Sequence, residues 1–213
     1  MQASKTSRKS GVRAAVLSVA VVLAAIFALV GWLVCFPVFV IRAASMERTL
    51  LRGDHIVVDR IGTLLGRQPL RGDVVVIRYP PNPQETWVKR IVGIPGDRLR
   101  MRDKRLYRNG VEVREPYVQH ITSLIDAYRD NFPGGRDPGW HGPGSEAAAE
   151  MIAHHVRDGE LVVPEGKYFV LGDNRDDSLD SRYWGFIRRS DIVGRPILIY
   201  GSTDASRIGK RVN

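Results

Sequence analysis

The sequence predicts a mainly β domain behind one N-terminal transmembrane helix, interrupted by a loop/helix insertion. Three observations predict it. Residues 14–41 run without a charged side chain. Beyond residue 52, short Val- and Ile-rich runs recur between Gly and Pro turn signals. From about Glu115 to Glu160 that pattern gives way to a Gly- and Pro-rich stretch followed by a helical period.

The bulk composition narrows the field. The chain has 213 residues, 44% hydrophobic and 26% charged, which is ordinary for a folded protein. Its one cysteine, Cys35, lies inside the apolar run, so neither an intrachain disulfide nor a cysteine metal cluster is available. The net charge of +9 is unevenly spread: Lys5, Arg8, Lys9, Arg13 and Arg42 flank the apolar run with no acid among residues 1–42. A nucleic-acid binder gathers such an excess on a folded module. Here more than half of it brackets an apolar segment, so anionic lipid headgroups are the expected partner and nucleic acid is not.

The first element is that apolar segment. About 20 helical residues, at about 1.5 Å each, span a hydrocarbon core of roughly 30 Å. Pro37 ends the helix, which leaves about Ala15 to Phe36 as the span. A cleavable leader would have an apolar core of only about 7–15 residues, so an anchor is the better reading. Four basic residues before the span favour a cytoplasmic N-terminus, with Arg42, Arg48 and Arg52 weakening the bias.

The strands follow. Runs at His55–Asp59, Val74–Tyr79, Trp87–Gly93, Leu161–Val163, Tyr168–Leu171 and Ile197–Tyr200 have strand character. Turns are expected at Arg71-Gly72-Asp73, at Pro80-Pro81-Asn82-Pro83 and at Pro95-Gly96-Asp97. Asn109-Gly110, between Arg105–Arg108 and Val111–Arg114, is a hairpin signal of type I′. Within the insertion, Asn131–Gly144 reads as an exposed loop. Ser145 reads as the cap of a helix through Arg157, closed by Gly159, with Met151, Ile152, His155 and Val156 as its apolar stripe. His154 and His155 point about 100° apart on such a helix and are expected at the surface rather than as a metal pair.

Three segments hold residues with chemical potential. Ser45 follows the span in Ala43-Ala44-Ser45-Met46-Glu47-Arg48-Thr49-Leu50; a lone serine means little. Lys89 falls in the strand pattern Trp87-Val88-Lys89-Arg90-Ile91-Val92, where alternation predicts that one of Lys89 and Arg90 faces inward or lies at an edge. The run GDNRDDSLDSRYWGF (172–186) crowds ionisable groups, two serines and an asparagine against Tyr-Trp-Gly-Phe. If partly buried, that cluster must satisfy its own hydrogen bonds.

Taken together, these segments resemble type I signal peptidase, a family of membrane-anchored Ser–Lys serine proteases. Ser45-Met46-Glu47-x-Thr49-Leu50 resembles the family's nucleophile box, and Arg71–Val76 the strand box after it. Residues 89–97 resemble the base box and residues 172–186 the last one, all in the family's order behind an anchor. The resemblance runs from about residue 15 to 200, apart from 115–160. It implies a mainly antiparallel β-sheet catalytic domain over 42–213, with residues 14–41 as anchor and 1–13 as a cytoplasmic segment. It implies Ser45 as nucleophile and Lys89 as general base, with Ser178 orienting the lysine amine by a hydrogen bond. Asp180 would pair with Arg182 to hold that loop, and no metal or organic cofactor would be needed. The implied substrates are secretory preproteins with small residues at −3 and −1, bound as an added strand. The implied setting is the inner (plasma) membrane, single-pass, with the domain on the extracytoplasmic side.

The chemistry accounts for the residue types. A serine hydroxyl needs an adjacent base. A lysine serves only when neutral, and its ordinary pKa of about 10.4 must be lowered by burial. Three departures from the family pattern stand out. Ala43 occupies the position where some members carry a serine that stabilises the oxyanion, which leaves backbone N–H groups, Ser45's own first. Arg48 replaces the usual proline and is expected to loosen its turn. Asp177 stands where asparagine is common. The alternatives are a plasmid-transfer-type maturation peptidase of the same clan and a catalytically inactive anchored binding protein.

Overall fold

The structure, a computed structural model, describes residues 3–134 and 139–212, with side chains from Leu17 onward. Helix α1 (Ala3–Cys35) contains most of the apolar run; Leu17–Cys35 has a mean hydropathy of 2.7 and none of it is buried by protein. Its length is about 28 Å at 1.5 Å per residue, the thickness of a bilayer core. The helix ends before Pro37, as the proline requires.

The rest is antiparallel β in two sheets. The strands of the larger are β1 (Val38–Val40), β2 (His55–Asp59), β3 (Val74–Tyr79), β4 (Asn82–Gly93), β10 (Lys167–Leu171), β11 (Ile187–Arg188) and β12 (Ile192–Gly201), in the spatial order β1-β2-β12-β3-β4-β10-β11. The smaller comprises β5 (Arg98–Arg102), β6 (Arg105–Arg108), β7 (Val111–Glu112), β8 (Val156–Arg157) and β9 (Glu160–Val162), in the order β7-β6-β5-β9-β8. Two short helices complete it, α2 (Ile61–Leu64) and α4 (Ser181–Trp184), with α3 (Ser145–His155) between β7 and β8.

Each expected strand run is present, with differences in detail. The turn between β3 and β4 is Pro80-Pro81 alone. Asn82 already pairs with Tyr79, and Pro83 sits in a register irregularity, where a missing N–H is harmless. Strand β12 begins five residues before Ile197. Strand β5 has no counterpart among the expected runs, yet it alternates strictly, with Leu99 and Met101 buried under outward-facing arginines. The turn after it, Asp103-Lys104, takes positive φ at both residues, as Asn109-Gly110 does in the hairpin that was expected. Asp and Lys carry no such signal as a pair.

The 115–160 region departs most from expectation. Ser145 does not cap α3: the cap position is Gly144, with φ of +88°, and no side chain bonds there. The helix stops at His155, because Val156 and Arg157 pair with β9 instead. Nor is the stretch Asn131–Gly144 wholly exposed. Phe132 and Pro133 are buried, and Phe132 stacks on Phe169; residues 135–138 lie outside the described residues. Tyr128, Phe132 and Met151 share a core cluster with Leu99, Met101, Leu161 and Phe169. His154 is exposed, and the His155 ring packs edge-on to Phe186.

Candidate active site

Strand β4 positions the site because both of its faces are covered near its C-terminal end. Lys89 and Arg90 are each 2% exposed, so both are buried rather than one of the two as alternation alone predicted. The reason is tertiary: β3 and β10 flank the strand, and loops close over each face.

On one face, Lys89 Nζ lies 2.8 Å from Ser45 Oγ. Ser45 arrives on a tight turn closed by Glu47 N–H to Ala44 C=O and by Thr49 and Leu50 N–H to Met46 C=O. Met46 and Leu50 bury their side chains in the core and anchor that turn. Arg48 adopts φ of +81°, a conformation that proline cannot take, and its guanidinium reaches Val118 C=O. The turn is therefore reshaped and hydrogen-bonded, not loosened. Among the described residues the Ser45 N–H has no protein acceptor, while its carbonyl accepts from Asn174 N–H.

Burial pulls the Lys89 ammonium down from 10.5 to about 8; Asp180, Asp173 and Asp177 oppose the shift and Arg182 adds to it. Among the described residues no carboxylate hydrogen-bonds the amine; its one hydrogen bond there is to Ser45, and the Trp87 ring lies 5.4 Å away. When the amine is neutral the same contact reverses, and the hydroxyl donates to nitrogen.

Asp180 and Arg182 form a fully buried pair, with Arg182 Nη2 to Asp180 Oδ2 at 2.7 Å and Nε to Oδ1 at 2.8 Å. Burial opposes ionisation of Asp180 most, yet Arg182 and Lys89 together hold its carboxyl below the usual range. Asp180 also accepts from Gly172 N–H and caps α4, while Arg182 reaches Arg175 C=O. The hydrogen bond expected between Ser178 and the Lys89 amine is not formed in this structure. The Ser178 Oγ is buried with no hydrogen-bond partner. The hydroxyl packs over Gly172 instead: a Cβ there would lie 2.2 Å from Ser178 Oγ and 2.5 Å from Ser45 O. Only glycine leaves room for that crossing.

The other face of β4 holds residues that sequence reasoning missed. Arg90 binds Asp173 through two bonds of 2.8 and 2.7 Å, donates to Gly72 C=O, and lies 3.8 Å over the Tyr117 ring. Thr49 Oγ1 bonds Asp173 Oδ2, tying the serine-bearing loop to this pair. Arg175 holds Glu115 through two bonds and Gly172 C=O through a third. The available signal was the acid-and-base crowding of 172–182, whose partners lie far away in sequence. Among the described residues no group of three or more His, Cys, Asp or Glu converges in a metal-ligating arrangement.

A cleft of about 860 Å³ opens onto Ser45 and Lys89, between residues 38–46 and 84–88, with Leu179 on its wall. Among the described residues no strand lies on the edge of β4 before Arg90 that faces away from β3, since β10 pairs only with residues 90–93. The arrangement can thus accept an extended peptide beside a serine whose proton has a buried amine to go to.

The chain matches the family model described as "Signal peptidase, peptidase S26" over residues 14–201. It is 34% identical over 193 residues to signal peptidase I of Aquifex aeolicus, covering 77% of this chain and 75% of that one. It is 33% identical over 186 residues to signal peptidase I U of Bacillus subtilis, covering 87% and 85%. With signal peptidase I of Pseudomonas fluorescens the identity is 33%, and the match covers 64% of that longer protein. A crystal structure of a signal peptidase I from Enterococcus faecalis superposes with a TM-score of 0.43 at 32% identity, over 60% of this chain and 96% of that one. This chain belongs to the signal peptidase family, peptidase S26.

Proposed function

We propose that the protein is a membrane-anchored serine endopeptidase that removes N-terminal signal peptides from exported preproteins, with Ser45 as nucleophile and Lys89 as general base. The observation that carries the reading is the 2.8 Å contact between Ser45 Oγ and a lysine only 2% exposed. With a pKa of about 8, roughly a tenth of Lys89 is neutral at pH 7. Neutral Lys89 takes the hydroxyl proton as Ser45 Oγ attacks the scissile carbonyl. The oxyanion accepts from the Ser45 N–H, which has no other acceptor among the described residues. The ammonium then protonates the leaving amine, and the regenerated amine activates the water that releases the acyl group.

The substrate adds as a strand along the free edge of β4 and the Val38–Ala44 segment, with small residues facing the apolar wall of the cleft. Because only two residues separate α1 from β1, the site stands close to the membrane surface, where a preprotein still held by its signal sequence presents the cleavage point. Residues 1–13 are cytoplasmic, and the domain from residue 42, with 115–160 as its insertion, lies on the extracytoplasmic side of the plasma membrane. Asp180 and Arg182 hold the 172–182 loop. Ser178 fills the space beside Gly172 and turns to the amine when the lysine is neutral.

The test is cleavage of a preprotein by detergent-solubilised protein. Ser45→Ala and Lys89→Ala should each reduce turnover by at least about 10³-fold while the domain stays folded. Lys89→Arg should fail equally, because a guanidinium cannot act as base. Ser178→Ala should cost about 10- to 100-fold through misplacement of the amine. Substantial turnover by Lys89→Arg would remove lysine from the mechanism.

A further inference from the structure

The end of α1 and the loop after β2 are joined. Arg60 N–H donates to Cys35 C=O at 3.0 Å, and Arg60 Nη1 reaches Val34 C=O, so Arg60 closes the C-terminus of the apolar helix. A cation is favoured at that end of the helix dipole. The span of Leu17–Cys35 matches a bilayer core, which sets Arg60 at the level of the lipid headgroups.

Beside Arg60 lies a groove of about 630 Å³ that also contains Arg78 and Arg189, with Thr63, Leu64 and Ser190, and no carboxylate lines it. None of Arg60, Arg78 and Arg189 forms an ion pair among the described residues. Arg189 is oriented by two bonds from Nη2, to Thr63 C=O and Arg67 C=O, and Arg78 by one from Nη1 to Ser190 C=O. The Nε atoms of Arg60 and Arg189 are shielded from solvent yet have no acceptor. Asp59 and Asp73 line the adjoining pocket with Arg189, but neither lines this groove or pairs with its arginines. Guanidinium groups held by carbonyls and engaged in no ion pair make a site for a phosphate oxygen. Leu64, which lines the groove, and the next residue, Leu65, are 60% and 81% exposed; such apolar side chains are stranded in water but at home against acyl chains.

We propose that this groove binds the phosphodiester headgroup of an anionic glycerophospholipid, and so fixes the orientation of the domain on its membrane. The inference rests on the anchor reading of α1, but not on the peptidase chemistry. A zwitterionic headgroup is disfavoured because the groove offers no carboxylate to a choline ammonium. Binding requires a small rotation of Arg60 or Arg189 to bring its Nε–H to the incoming oxygen.

The test is native mass spectrometry of full-length protein released from nanodiscs of equal parts phosphatidylglycerol and phosphatidylcholine. Wild-type protein should keep phosphatidylglycerol about tenfold over phosphatidylcholine, a difference of about 1.4 kcal/mol. Ser45→Ala should keep it equally, so that failure of the catalytic reading is read separately. Arg78→Glu, at an exposed position, should lose at least about fivefold in retained phosphatidylglycerol. Arg78→Lys, which keeps the charge, should hold at least half. Equal retention of the two lipids, or unchanged retention in Arg78→Glu, would overturn the site. Loss common to Arg78→Glu and Arg78→Lys would mark a folding defect and speak against it. Displacement of the lipid by millimolar inorganic phosphate would assign the groove to a free anion instead.

Discussion

Lys89 and Arg90 are neighbours on one strand, buried to the same degree on opposite faces, and their surroundings could hardly differ more. Arg90 meets Asp173 in a bidentate ion pair, a backbone carbonyl and an aromatic ring. Lys89 meets a serine hydroxyl and apolar walls, and the nearest carboxylates act on it only through space. Burial with a partner fixes a charge in place, whereas burial without one makes the charge easy to lose. One face of β4 therefore holds the loops together, and the other lowers a lysine toward neutrality. Ser45 and Thr49 belong to the same short turn yet contact opposite faces, so the turn joins the rigid face to the reactive one.

The sharpest way to break this comparison is to replace each residue with methionine. Arg90→Met leaves Asp173 fully buried and unpaired, which should destabilise the domain by about 3–5 kcal/mol. Lys89→Met should act in the opposite direction. Because the folded pKa of Lys89 lies below its unfolded value, the unfolded state holds the proton more tightly, and wild type carries a penalty wherever the unfolded lysine is charged. That penalty is about 3 kcal/mol below pH 8 and disappears as pH rises from about 8 to 10.5. Thermal melting of Lys89→Met in detergent should thus exceed wild type near neutral pH and converge with it near pH 10.5. If both variants are destabilised alike at neutral pH, the two faces are not different in kind.

The kinetic counterpart is the pH profile. With Lys89 as base, kcat/KM should climb nearly tenfold between about pH 6 and 7 and level off above about pH 8. Asp177, exposed and acting through space, raises the lysine's affinity for its proton. Asp177→Asn should therefore move the inflection to lower pH, by about 0.3 on the pH axis at low salt and less at high salt. An inflection that stays put at low ionic strength, or moves up, would mean that the profile reports some other group.

What was legible in the sequence and what was not divide along the same strand. Lys89, Ser45 and the Asp180–Arg182 pair were legible because their spacing and order matched a known pattern, and the strand around Lys89 because Val and Ile dominate it. Arg90 was half legible: alternation pointed one of the pair inward but could not reveal that loops cover both faces. Its partner Asp173, and Glu115 for Arg175, lie 83 and 60 residues away, beyond any local signal. Ser178 was matched by pattern, but its hydroxyl direction is set by how closely Gly172 passes. Strand β5 hid behind its arginines, and α3 lost its expected end because Val156 gains more by pairing with β9 than by continuing the helix.

The smallest effect tests the turn that connects the two faces. Arg48 carries φ of +81° between Ser45 and Thr49, a conformation that costs a non-glycine residue about 1–2 kcal/mol. Arg48→Gly removes that strain but gives back part of the gain through unfolded-chain entropy and the lost bond to Val118. The net change should be a stabilisation of less than about 1 kcal/mol, read as a small rise in melting temperature. Arg48→Pro isolates the dihedral. The Arg48 N–H donates to no acceptor among the described residues, and the bond to Val118 is lost in glycine and proline alike, so between these two variants the fixed φ of proline is the difference that matters. Proline should lower the melting temperature and, by shifting Ser45 relative to Lys89, reduce turnover more than glycine does. A proline variant as stable and active as wild type would show that the turn can take the φ of proline with Ser45 still seated against Lys89. The two faces of β4 would then be joined by Thr49 and Met46 rather than by the backbone at Arg48.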